Sequence, residues 1–162
     1  RKLTGYNTRI EKRMVEYLKE DNKISPYIVL EDRILRGNSC STKRRPDILL
    51  SSTNNLHIII ECDENQHNGY NERCETGRMN EIIDELDGGR VIFIRWNPDK
   101  ISKGVSVNLG KRLEKLTSLV KIIVNRKEWN DEDTISVIYM FYNKSNPVIT
   151  KSLNKYYICC NK

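Results

Sequence analysis

The segment from Arg44 to His67, RRPDILLSSTNNLHIIIECDENQH, decides how the chain folds and where its chemistry is expected. Pro46-Asp47-Ile48-Leu49-Leu50 and His57-Ile58-Ile59-Ile60-Glu61-Cys62-Asp63 are short apolar runs of the kind that form strands. The polar Ser51-Ser52-Thr53-Asn54-Asn55 between them predicts a turn, so the pair reads as a hairpin. Side chains alternate along a strand, which puts Ile59, Glu61 and Asp63 on one face and Ile58, Ile60 and Cys62 on the other. Pairing of the two strands is expected to bring Asp47 alongside the carboxylates. Carboxylates on apolar strands are costly unless a cation compensates them, and hard oxygen ligands that leave room for water suit Mg2+, with Mn2+ as a substitute. His67, one of two histidines in the chain, lies just past the strand end, and its ordinary pKa suits a general base near neutral pH. Two strand ends running into polar loop is the competing reading of the same residues.

Working outward, Thr8 is placed to cap a first helix whose apolar stripe is Ile10, Met14, Tyr17 and Leu18, with Glu11 at its border. Pro26 to Leu30 reads as a first strand. After His67 a second helix is predicted from Glu72 to Leu86, burying Met79, Ile82, Ile83 and Leu86 and ending at Asp87-Gly88-Gly89. Glu75 and Arg78 in it are three apart, a spacing that suits an ion pair within the helix. Arg90 to Arg95 reads as a buried strand. A third helix carries Leu109, Leu113, Leu116, Val120 and Ile123 on one side, leaving Lys111, Arg112, Lys115 and Lys121 off the stripe as a solvated face. Ile135 to Tyr142 and Tyr156 to Cys160 are rich in β-branched and aromatic residues and are expected to extend the sheet; a dimer edge or a base-stacking role for Tyr156 and Tyr157 stays open. The alternation of helix and strand argues for an α/β sandwich.

Several segments taken together resemble one nuclease group. Thr8-Arg9-Ile10-Glu11-Lys12-Arg13, Arg45-Pro46-Asp47, Ile60-Glu61-Cys62-Asp63-Glu64-Asn65-Gln66-His67, then Glu75 and Arg78, then Val91-Ile92-Phe93-Ile94-Arg95-Trp96-Asn97 follow one another as in the Vsr-like branch of the PD-(D/E)xK nucleases. That branch includes the very short patch repair and EDxHD homing endonucleases, and the likeness covers about two thirds of the chain. The resemblance implies a restriction-endonuclease-like core, a central mixed sheet flanked by helices, and Mg2+-dependent hydrolysis of DNA phosphodiesters to a 5′ phosphate and a 3′ hydroxyl. It makes Asp47 and Glu61 metal ligands, with Asp63, which stands where most of the superfamily has lysine, helping to hold metal or water. It further implies His67 as general base and Glu11 as a support for it or for a water; Arg78, if not paired with Glu75, is placed to reach a phosphate or steady the site. Asn65 and Gln66 replace the aromatic wedge of the repair enzymes, and their zinc ligands are not reproduced, so mismatch repair is not expected.

Composition fits a nucleic-acid partner: 28 Lys and Arg against 22 Asp and Glu leave a formal charge of +6. Lys43-Arg44-Arg45, directly before Asp47, is placed to hold a phosphate backbone, with a solvated loop as the other reading. The 162 residues suffice for a single nuclease-like domain, its core over about residues 6–100 and a C-terminal helix and strands over 104–162. There is no apolar run of membrane-spanning length and no secretory signal, so an intracellular, soluble protein is expected. The start at Arg1 rather than methionine fits an excised domain or a trimmed chain. Cys40, Cys62, Cys74, Cys159 and Cys160 form no CxxC pair and are an odd number, which favours reduced thiols. A zinc site drawing on Cys40, Cys74 and the C-terminal pair is the minority reading. The leading expectation is a metal-dependent DNA endonuclease; a dimeric Holliday-junction resolvase, a non-cleaving DNA-binding module and an RNA substrate remain the alternatives.

Overall fold

The computed structural model describes residues 7–31, 46–67, 72–86, 88–101, 103–104, 106–129, 134–143 and 154–158. These residues build three helices, α1 (Asn7–Glu20), α2 (Glu72–Glu85) and α3 (Leu109–Asn125). They also build six strands, β1 (Ile28–Glu31), β2 (Ile48–Ser52), β3 (Leu56–Cys62), β4 (Arg90–Trp96), β5 (Ile135–Met140) and β6 (Asn154–Ile158). The strands form one sheet in sequence order. β1, β2 and β3 pair antiparallel, while β3, β4, β5 and β6 pair parallel. The protein is therefore α/β with a mixed sheet, as the alternating pattern predicts.

Alternation along the strands divides the core into two layers. Ile48, Leu50, Ile58, Ile60, Ile92, Ile94 and Trp96 face one side, where Ile10, Met14 and Leu18 of α1 and Leu113, Leu116 and Val120 of α3 cover them. Leu49, Ile59, Val91, Phe93, Val137 and Tyr139 face the other, beneath Met79 and Ile82 of α2. Each helix thus buries the stripe that its periodicity marks out. The hairpin forms in the register Ile48–Ile60, Leu49–Ile59 and Leu50–Ile58, so Cys62 packs with the first layer and Glu61 faces the second.

Local chemistry corrects three boundaries or roles and adds one cap. Thr8 lies inside α1, which begins at Asn7. Ser25–Tyr27 form a 3-10 turn with Pro26 at its start, delaying β1 to Ile28. Asn108 caps α3, its Oδ1 accepting from the Lys111 N–H at 3.0 Å. Arg112, expected on the solvated face, is buried and donates from Nη1 to the carbonyls of Asn97 at 2.7 Å and Asp99 at 2.6 Å, its guanidinium lying over the Phe141 ring. Among the described residues no helix is long and apolar enough to cross a membrane. The pairing of β6 with β5 extends the sheet through Tyr156 and Tyr157, whose side chains are outside the described structure.

The connection from α2 into β4 passes against the hairpin turn. Gly89 has φ of 96°, and a Cβ there would meet the Asn55 carbonyl oxygen at 2.3 Å, while the Arg90 N–H donates to that same oxygen at 2.8 Å. Gly77, inside α2, has open space around the Cβ position. Gly89→Ala is expected to destabilise the protein by more than about 1 kcal/mol and Gly77→Ala to stabilise it by about 0.4–1 kcal/mol, both read from urea unfolding.

Candidate functional site

Because β2 runs against β3, the start of β2 and the end of β3 meet at one end of the sheet, where β4 and β5 also end. This is the end at which sheets with parallel strands present ligand-binding crevices. One step beyond the Ile48–Ile60 pair, Asp47 comes opposite Glu61. Asp47 is half-buried, and its Oδ2 accepts from the Cys62 N–H at 2.6 Å, which fixes the carboxylate at the mouth of the hairpin. Glu61 is buried and its Oε2 receives Nη2 of Arg78 from α2 at 2.8 Å. Half-buried Glu11 of α1 adds its charge to the same locus.

Burial first, and crowding of like charges after it, set the protonation of this site. Loss of water around Asp47, then the charges of Glu61 and Glu11, push its carboxyl well above the usual range; the Cys62 N–H and Arg78 act in the opposite sense without cancelling them. Arg78 is held cationic chiefly by Glu61 and more weakly by Asp47. Burial, followed by the charge of Asp47, drives the Cys62 thiol upward, so it stays a neutral packing group.

Asp63 sits differently from the expectation that it shares a cation with Asp47 and Glu61. It is fully buried, and its Oδ2 receives both Nε of Arg95 and the hydroxyl of Tyr142. Arg95 extends Nη2 to Oε2 of Glu75 at 2.6 Å, so one buried guanidinium joins the end of β3 to α2. Burial by itself would favour loss of the Arg95 proton, but Asp63, Tyr142 and Glu75 outweigh it and raise its pKa. Tyr142 is likewise raised, by burial and by Asp63, and so remains a donor. Asp63 is a structural anchor here. Glu75 and Arg78, whose spacing suggests pairing within the helix, each reach beyond it, to β4 and β3 respectively.

Beyond Asp63 the chain makes a 3-10 turn, Glu64–His67, in which Asn65 and Gln66 have φ of 50° and 55°. Left-handed backbone costs about 1–2 kcal/mol per residue outside glycine, and the turn is held by its surroundings. The Asn65 N–H donates to Oδ2 of Asp99 at 2.8 Å. Buried Gln66 accepts from the Asn143 N–H through Oε1 and donates to the Ile101 carbonyl at 3.5 Å. Asn97 in turn bonds the Phe141 carbonyl at 2.8 Å, tying together the loops after β4 and β5. The backbone of His67 closes this turn; its imidazole lies outside the described structure. Lys43, Arg44 and Arg45, and Cys40, Cys159 and Cys160, lie outside the described residues. Cys62 and Cys74 are free thiols, the latter exposed.

The structure thus brings Glu11, Asp47, Glu61 and Arg78 together and ties Asp63 into an adjoining buried cluster with Arg95, Glu75 and Tyr142, whose Asp63 and Arg95 charges also act on Arg78. Among the described residues no three His, Cys, Asp or Glu side chains are grouped closely enough to enclose a metal ion. Mg2+ does not require such a cage, since it is commonly held by one or two carboxylates plus water and substrate phosphate. Two hard oxygen donors crowded by a third negative charge fit that demand. Comparisons with family models, curated proteins and solved structures found no match to the chain.

Two measurements test these charges. The folded protein holds the Asp47 proton more tightly than the unfolded chain, so stability from this group is complete below its ordinary value of 3.8 and is lost as pH rises through the raised value. In EDTA near neutral pH, Asp47→Asn, which keeps an oxygen for the Cys62 N–H, is expected to melt above wild type, and the gap is expected to shrink on acidification. Arg95→Met leaves two carboxylates buried without their cation and is expected to cost about 3–5 kcal/mol in urea unfolding, against about 1–3 kcal/mol for Tyr142→Phe.

Proposed function

We propose that the protein is a metal-dependent DNA endonuclease with a restriction-endonuclease-like core, in which Asp47 and Glu61 hold Mg2+ at the end of the hairpin. The reading is carried by the convergence of Asp47, Glu61 and Glu11 on one half-buried locus, where burial and the charges of Glu61 and Glu11 raise the pKa of the Asp47 carboxyl. Such crowding opposes folding, and a divalent cation would relieve it. The fold adds support through the position of the cluster at the carboxyl ends of the parallel strands. The resemblance of the ordered motifs to Vsr-like nucleases then suggests phosphodiester hydrolysis.

In this reading Asp47, fixed by the Cys62 N–H, and Glu61, on a rigid central strand, orient the cation with little loss of freedom on binding. The bound ion supplies charge stabilisation for the scissile phosphate and lowers the pKa of the attacking water. His67, at the end of a strained turn whose backbone is pinned from Asp99, Ile101 and Asn143, would accept the proton. Glu11 supports His67 or the water, and Asp63 acts through Arg95 by holding the end of β3 in place. The net charge of +6 favours approach of the polyanion, which the Lys43-Arg44-Arg45 run would hold.

Supercoiled plasmid and branched DNA incubated with Mg2+ or Mn2+ test the assignment. Wild type is expected to cut, with Asp47→Ala and His67→Ala each slowing cleavage by about 10²-fold or more. Equal cutting by all three proteins would overturn it, and a preference for branched over linear DNA would favour the resolvase reading.

A further inference from the structure

Two arginines serve the carboxylates at this end of the sheet, and their settings differ. Arg95 has a side chain only 2% exposed, with both ends of its guanidinium committed to Asp63 and Glu75. Arg78 has a side chain 28% exposed, reaches Glu61 from α2 at 2.8 Å, and lies beside the cluster in which Asp47 and Glu11 add further negative charge. Glu61 is fixed by its strand and is 5% exposed, so any adjustment between the two falls to the arginine, whose long side chain opens to solvent. A guanidinium cannot lose its proton at accessible pH, so it leaves a carboxylate only by moving away. Its contact is with Oε2 of the residue that the proposed function makes a cation ligand.

We propose that Arg78 is the resident counter-cation of the site: its guanidinium neutralises Glu61 in the metal-free protein and competes with the divalent ion for that carboxylate. This rests on the reading of Asp47 and Glu61 as a cation site. It explains how a buried glutamate beside a second carboxylate is tolerated before an ion arrives, because an unpaired charge in that position would be strongly destabilising. It also gives selectivity. A singly charged ion offers little that the guanidinium does not already supply, whereas a doubly charged ion gains from Asp47 and Glu61 together. Arg78 is thus a positioning residue that sets how tightly the ion is held.

The test uses the full chain as wild type, Arg78→Gln, Arg78→Lys and Asp47→Asn, with Mn2+ binding followed by electron paramagnetic resonance and melting recorded in EDTA and in saturating Mn2+. Arg78→Gln is expected to bind Mn2+ about fivefold or more tightly than wild type, the scale of an ordinary coupling between competing ligands. Its melting temperature is expected to fall in EDTA and to recover toward wild type in Mn2+, with Arg78→Lys in between. Equal or weaker Mn2+ binding by Arg78→Gln, or a melting deficit of the same size with and without Mn2+, would overturn the proposal. If Asp47→Asn still abolishes binding in that case, the cation site itself stands. Absence of Mn2+ binding by wild type would remove both.

Discussion

The guanidinium of Arg95 is the constraint on which this end of the molecule depends. It has almost no contact with solvent and cannot become neutral, so it must be met by charges of the right number in the right places. Asp63 and Glu75 meet it from the end of β3 and from α2, and Tyr142, just past β5, completes the cluster through Asp63. Three sequence-distant segments are thereby clamped to β4. Removing any one leaves a buried polar group without its partner, which is a steeper penalty than the loss of an ordinary contact.

The consequences pass directly to the carboxylates. α2 carries Glu75 and Arg78 on one side, so anchoring the first to β4 holds the second against Glu61. Asp63 directly follows β3, so fixing it holds Glu61 two residues earlier, and the register of the hairpin then fixes Asp47. The turn that follows spends conformational strain at Asn65 and Gln66 and is braced by the loops after β4 and β5. The Arg95 cluster thus braces the neighbouring site in which Arg78 meets Glu61 beside Asp47.

Much of the architecture is written in periodicity. The alternation of Ile58, Ile59, Ile60 and Glu61, the spacing of Ile10, Met14 and Leu18, and that of Leu113, Leu116 and Val120 depend only on backbone geometry and on which side chains avoid water. So does the sharing of a face by Glu61 and Asp63. The boundaries that differ, at Thr8 and Pro26, turn on local backbone geometry that periodicity does not encode.

What the chain alone determined was the α/β class, the hairpin and the opposition of Asp47 to Glu61, because each follows from contacts between residues close in sequence or from a two-residue repeat. Only the tertiary structure decided how the ionisable groups divide. Asp63 carries the same charge on the same face as Glu61, and nothing local tells one from the other. Its assignment depends on Arg95, 32 residues on, and on Tyr142, 79 residues on, arriving at one oxygen. Arg112 looks like a surface residue by its helical position and is buried only because the loop after β4 folds over it. Charge pairing across a sheet is set by which strands become neighbours, and that order is a property of the whole fold.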